Sequence, residues 1–156
     1  MTFTLPPHTP LIIPKVSPNG HWEFPETMNP SAHVGFVYAI YDTVMCRGYI
    51  GKKHYHSVQQ ARKVPSDWKS YTSSSTTVNL LLKHRPKEEF EFICIEEYGA
   101  RGDLAYAESW SLYQVAALET QYWYNKGIES VGWKVKRPPS ARHKERLAKV
   151  YQKVHG

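Results

Sequence analysis

Several side chains in the middle of this chain could work on one reaction. Tyr38 and Tyr49 stand in a stretch rich in aromatic and β-branched residues. Lys53 follows Tyr49 by four residues, which puts both on one face of a strand. Lys69, Glu108 and Asn125 come later in the chain. A phenol has a reference pKa near 10, and beside a cation it falls, so that the group can orient or deprotonate water. An ammonium stabilises developing negative charge. One helix carboxylate is enough to hold an ion such as Mg²⁺, which keeps several of its waters. Glu108 is of the type that holds such an ion, and Asn125 of the type that fixes a water or an anion. Such a set suits attack by water beside growing negative charge.

The elements that must position these groups can be read from periodicity and punctuation. Val34 to Tyr41 reads as a strand, Asp42 to Gly48 as a turn, and Tyr49 to Lys53 as the returning strand of a hairpin. Residues 54–74 read as polar and irregular, with His54 and His56 as solvated loop residues. Ser74 or Ser75 can cap a short helix carrying Val78, Leu81 and Leu82, and Pro86 ends it. Phe90 to Glu97 alternates as a third strand. Asp103 is the expected cap of a long helix, Leu104 to about Trp123, closed by Asn125-Lys126-Gly127. After Pro138-Pro139, Ser140 caps a basic helix over Ala141 to Val154. The order predicts an α+β fold, a small three-stranded antiparallel sheet flanked by helices. The expected division is a Pro-rich N-terminal arm (1–33), a central domain (34–130) and a basic C-terminal tail (131–156).

Charge sharpens the class of partner. The net charge is +6. Residues 134–156 carry Lys134, Lys136, Arg137, Arg142, Lys144, Arg146, Lys149 and Lys153 against Glu145 alone, so the whole positive excess lies there. A polyanion is the natural partner, and contacts from this tail would be to backbone phosphates. Cys46 and Cys94 have no zinc-ligand spacing and read as buried free thiols, as in a reducing cytoplasm. No Ser-His-Asp order is discernible. No membrane span or signal peptide is expected. The residues alone also allow a basic structural or RNA-associated protein.

Five elements in this order together resemble the GIY-YIG nuclease family. Val37-Tyr38-Ala39 is followed about ten residues on by Tyr49-Ile50-Gly51. Tyr49-Ile50-Gly51-Lys52-Lys53 and then Asp67-Trp68-Lys69-Ser70-Tyr71-Thr72-Ser73-Ser74 are similar to the YIGKK…DWKxYxGSS pattern of a phage and homing branch. Glu108 and Tyr124-Asn125-Lys126-Gly127 match that branch's helix glutamate and closing Tyr-Asn. The first triplet departs from a literal GIY, and Thr72 stands where glycine is common. The Arg-x-x-x-His motif that many members keep after the second triplet is missing. Lys53, Lys69 or Arg62 would have to supply its cation.

The resemblance implies a metal-dependent DNA endonuclease with one Mg²⁺ or Mn²⁺ per site, leaving 5′-phosphate and 3′-hydroxyl ends. It implies a phage or mobile-element source and the host cytoplasm as its place of action. Tyr38, Tyr49, Lys53, Lys69, Glu108 and Asn125 would be catalytic. DNA contacts are expected from Lys52, Arg62, Trp68, Tyr71, Ser73 and Ser74, and from Lys136, Arg137, Arg142, Lys144 and Arg146. The alternative is a nuclease-like module that binds DNA without cutting it. The chain does not set its oligomeric state, a monomer being the simpler expectation.

Overall fold

The computed structural model describes residues 17–132 and 134–156. Its centre is a three-stranded antiparallel sheet in the order β2-β1-β5, with β1 Gly35–Asp42, β2 Arg47–His54 and β5 Phe90–Tyr98. Between β2 and β5 lie a small hairpin, β3 His56–Gln59 and β4 Arg62–Pro65, and helix α1 Thr76–His84. Helices α2 Arg101–Gln114 and α3 Ala141–His155 follow. The α+β fold expected from the sequence is the one observed. No described helix is long and apolar enough to cross a membrane.

Strand parity divides the core. Val37, Ala39 and Tyr41 of β1, with Ile50, Ile93 and Ile95, meet Leu104, Ala107 and Leu112 of α2 and Leu147, Val150 and Val154 of α3. Phe36, Tyr38 and Ile40 point to the other face, against Trp22, Phe24, Met28, Tyr55, Trp68 and Val78. The sheet is therefore buried on both sides, and β1 is buried along its whole length. Residues 22–28, read as part of the N-terminal arm, supply three of these core side chains. Residues 1–16, including the apolar Leu11-Ile12-Ile13, lie outside the described residues.

Both sheet edges are covered, which removes the exposed strand edges that invite mispairing. Glu23 pairs with β5, its N–H donating to the Phe92 carbonyl at 2.7 Å. On the other edge Gly48 exchanges backbone hydrogen bonds with Tyr122 and Tyr124. Asn125 then completes this edge with its side chain. Its Nδ2 donates to the Ile50 carbonyl at 2.7 Å, and its Oδ1 accepts from the Ile50 N–H at 3.0 Å.

Two elements differ from the sequence reading. Helix α2 ends at Gln114 rather than near Trp123, and its N-cap position is Ala100, not Asp103. Ala117 N–H bonds to the Leu112 carbonyl and Ala116 N–H to the Tyr113 carbonyl, with Ala116 at φ 51°. That is a Schellman stop built on alanine. The left-handed residue costs about 1 kcal/mol, and burial of Ala117 against Leu112 helps to offset it. The second difference is the β3–β4 hairpin, where an irregular loop was expected. Gln60 and Ala61 make its turn at φ 50° and 61°, the geometry that Asn-Gly usually supplies.

Helix α3 is an integral layer rather than a free tail. Its His143 is fully buried, between the Tyr98 hydroxyl at 2.8 Å from Nδ1 and the Ser111 hydroxyl at 2.6 Å from Nε2. Ser111 donates to the Ala107 carbonyl. Its oxygen therefore accepts from Nε2–H, and Nδ1 accepts from Tyr98. Burial lowers the His143 pKa to about 4, so the ring is neutral at pH 7.

Candidate active site

The candidate site straddles the outer edge of β2. A cleft of about 310 Å³ is lined by Tyr49, Ile50, Ser74, Glu108, Asn125 and Glu129, among others. Tyr49 and Ser74 come from the aromatic side of the sheet, with their hydroxyl oxygens 3.4 Å apart. Glu108 comes from α2, on the other side. Asn125 holds Ile50, and with it the strand that presents Tyr49. Both of its amide groups are spent on that task, so its effect on the cleft is one of positioning. Asn125 does not end the Glu108 helix, as the sequence suggested; it lies eleven residues beyond it.

Tyr38 sits behind this edge. It pairs with Gly51 in register, and a methyl group on Gly51 would collide with its hydroxyl. Gly51 thus lets the Tyr38 ring lie across β2 toward Tyr49, at 6.2 Å between ring centroids. Burial raises the Tyr38 phenol well above its ordinary value, and Tyr49, Tyr71 and Glu108 add to the rise. The nearby ammonium groups point to carboxylates instead. Tyr38 is therefore a neutral donor in this state.

The lysines separate by parity. Lys53 shares the face of Tyr49, as expected, but its Nζ lies 2.9 Å from Asp67 and 3.8 Å above the Tyr71 ring. Lys52 points to the opposite face, the one covered by α2. Its Nζ lies 3.4 Å from Glu108 Oε1 and 2.9 Å from Glu129 Oε2. The lysine beside the key carboxylate is thus Lys52, which the sequence reading gave to DNA contact. The missing signal was which face α2 covers. Alternation with Ile50, a core residue, could have supplied it.

The Lys52–Glu108 pair is loose. Burial raises the Glu108 carboxyl above its ordinary range even though Lys52 faces it. Burial opposes the charge on Lys52 as well, but Glu129 and Glu108 together raise its pKa. Lys52 is held more closely by Glu129, while Glu108 remains short of positive charge.

The donor chemistry of the cleft fits a hard divalent cation. Glu108 and Glu129 already share one cation, the Lys52 ammonium, and the cleft is open enough to admit water. No cluster of three or more His, Cys, Asp or Glu occurs among the described residues, so waters would have to complete a coordination sphere. That is the habit of Mg²⁺ rather than of zinc.

The remaining candidates spread out. Lys69 lies on the aromatic side, its carbonyl bonded by His21 N–H and its ammonium 5.6 Å from the Trp68 ring. Arg62 is exposed on β4. Trp68 is buried, Tyr71 is half-buried, and Ser73 is buried and accepts from Ser75 N–H. Arg142 makes ion pairs with Glu96 at 2.7 Å and with Glu26. Arg146 bonds to the Cys94 carbonyl and to Glu23. These two arginines, expected to face phosphates, fasten α3 to the sheet instead. Lys136, Arg137 and Lys144 keep exposed side chains.

A family model described as "Putative endonuclease segE, GIY-YIG domain" matches residues 22–128. The match begins at Trp22, the first core residue of the aromatic face, and includes Tyr38, Tyr49, Glu108 and Asn125. No curated protein and no solved structure matches the chain. Covering well over half of the sequence, the match shows that the chain belongs to the GIY-YIG endonuclease family.

Proposed function

We propose that the protein is a divalent-metal-dependent DNA endonuclease that hydrolyses phosphodiester bonds in the cleft at the β2 edge. The observation that supports this reading best is the convergence of Tyr49, Ser74 and Glu108 on one cleft from both faces of the sheet. Glu108 would hold one Mg²⁺ or Mn²⁺, with Glu129 within reach of the same charge. The ion, when bound, supplies charge neutralisation at the scissile phosphate.

The chain's own residues do the rest. Tyr49 orients the attacking water, and Tyr38 supports its ring from beneath. Water adds to phosphorus, and the bond from phosphorus to the 3′ oxygen breaks. The water's proton balances the charge on that leaving oxygen. Lys52 leaves its carboxylates to meet the negative charge that builds on the phosphoryl oxygens. It thereby takes the role that Lys53, Lys69 or Arg62 was expected to fill. Lys53 holds Asp67 and Tyr71 in place behind the tyrosines. The N-terminus of α1 lines a neighbouring hollow with Tyr49 and Asn125, through Ser75, Thr76 and Thr77, and favours an anion there. Arg62, Lys136, Arg137 and Lys144 would add contacts to backbone phosphates, which are indifferent to sequence. A phage or mobile-element setting, as for homing endonucleases, goes with the motif pattern.

The test is incubation of supercoiled plasmid with the full chain in Mg²⁺, in Mn²⁺ and in EDTA, beside Tyr49→Phe. Nicking or linearisation that needs the metal, slowed at least about 100-fold in Tyr49→Phe, is the expected result. Binding without cleavage in either metal would favour the inactive DNA-binding module and contradict the nuclease reading.

A further inference from the structure

A second concavity, of about 160 Å³, lies beyond the far end of the cleft. It is lined by Val34, His54, His56, Lys63 and Arg101. Its polar lining is basic throughout. None of its four basic side chains has a carboxylate within 4 Å among the described residues, although Lys52, Lys53, Arg85, Arg142, Arg146, Lys149 and Lys153 all do. Residues 1–16 contain no Asp or Glu that could serve as a partner. Two cations, Lys63 and Arg101, and two imidazoles thus surround one hollow with no counter-charge within reach among the described residues.

The hollow is aligned with the cleft. His54 follows Lys52 by two residues and shares its strand face. Arg101 precedes Glu108 by seven residues, two turns along the same face of α2, or about 10 Å of helix axis. That distance is about three nucleotide rises of a duplex. The β3–β4 hairpin closes the far wall with His56 and Lys63. Val34 makes an apolar wall, which keeps water from one side and strengthens the field of the cations. The space would hold about five waters, enough for one hydrated phosphate group.

We infer that this hollow is a phosphate subsite, which takes a backbone phosphate of the DNA strand a few nucleotides from the scissile bond. The inference rests on the nuclease reading above. It gives the β3–β4 hairpin a purpose, as the element that carries two of the four basic groups to the cleft's end. Burial, with Arg101, Lys52 and Lys53 nearby, lowers the pKa of His54, so at pH 7 this ring offers the anion a hydrogen bond rather than a charge.

The experiment has two arms, both in EDTA with the full chain. In the first, inorganic phosphate is titrated while the imidazole resonances of His54 and His56 are followed by NMR. A saturable shift is expected, lost in the double variant Lys63→Gln, Arg101→Gln. In the second, affinity for a short duplex is measured against salt. The double variant should reduce the slope of log K against log salt by about 1 to 2, with an unchanged melting temperature. An unchanged slope in a folded variant, while the wild type binds DNA, overturns the inference and leaves the nuclease reading intact. A phosphate shift without any change in DNA slope assigns the pocket to a free anion and overturns the backbone assignment. Failure of the wild type both to bind and to cut DNA removes the nuclease reading itself.

Discussion

Two carboxylates in this fold face the same kinds of partner, and they end in opposite conditions. Asp42, at the end of β1, takes a bidentate pair from Arg85 at 2.6 and 2.7 Å, the Tyr124 hydroxyl at 2.7 Å, and the Val44 and Met45 N–H groups. Glu108, on α2, has one ammonium at 3.4 Å, which a second carboxylate holds more closely. Asp42 is fully buried, and burial works against its charge. Its donors nevertheless bring its pKa down to about 2. Glu108 is also largely buried, and its pKa is raised. What separates the pKa values of these two carboxylates is therefore the supply of donors, not burial. The saturated group fixes the β1–β2 turn and the 122–125 segment. The under-supplied one has something to gain from a cation.

The comparison can be broken first at Asp42. Asp42→Asn leaves Arg85 without its buried partner and should cost about 3 kcal/mol in urea denaturation. Cleavage should fall only as far as the folded fraction does. In the wild type the depressed pKa of Asp42 works the same way. Its contribution, about 2 kcal/mol, is present above pH 4 and lost as the pH falls from about 4 to 2. A melting temperature insensitive to pH over that window would show that the donors do not favour the ionised form.

The neutral, saturated cluster around His143 extends the contrast to α3. Its folded pKa, about 4, lies below the unfolded value of about 6.5, so the unfolded chain binds the extra proton. Stability is fully present above pH 6.5 and should fall by up to about 3 kcal/mol as the pH drops to 4. His21, which burial and Lys87 also hold near 4, titrates over the same range. His143→Gln should therefore flatten part of the slope of melting temperature against pH. An unaltered slope would place the effect elsewhere.

The smaller effect sharpens the reactive side. Lys52→Gln removes the cation now facing Glu108, so the carboxyl's pKa should rise further. The acid limb of the cleavage rate should move to higher pH, on top of a loss of about 10- to 100-fold on the plateau. A fall in rate with a fixed acid limb would mean that Lys52 contacts only the DNA.

Much of this was legible in the residues. Alternation located β1, β2 and β5. Ser75 and Ser140, each with a hydroxyl accepting from an N–H three residues on, marked α1 and α3. The order of Tyr38, Tyr49, Glu108 and Asn125 pointed to the β2 edge, where Tyr49, Glu108 and Asn125 line one cleft. What escaped was encoded in weak chemistry. An alanine stop and a Gln-Ala turn carry no glycine to announce them. Lys52 and Lys53 are neighbours of one type, and only the position of α2 decides which of them meets Glu108. Arg142 and Arg146 read as DNA contacts because Glu23, Glu26 and Glu96, their partners, are distant in sequence.

Single-turnover cleavage of supercoiled plasmid in Mg²⁺, run in parallel for Glu108→Gln and Asp42→Asn with folded fractions measured on the same samples, tests the central claim most directly. Glu108→Gln should melt at or above the wild-type temperature and lose at least about 100-fold in rate, whereas Asp42→Asn should melt lower and cleave at the wild-type rate per folded molecule. Cleavage by folded Glu108→Gln at the wild-type rate would contradict the account.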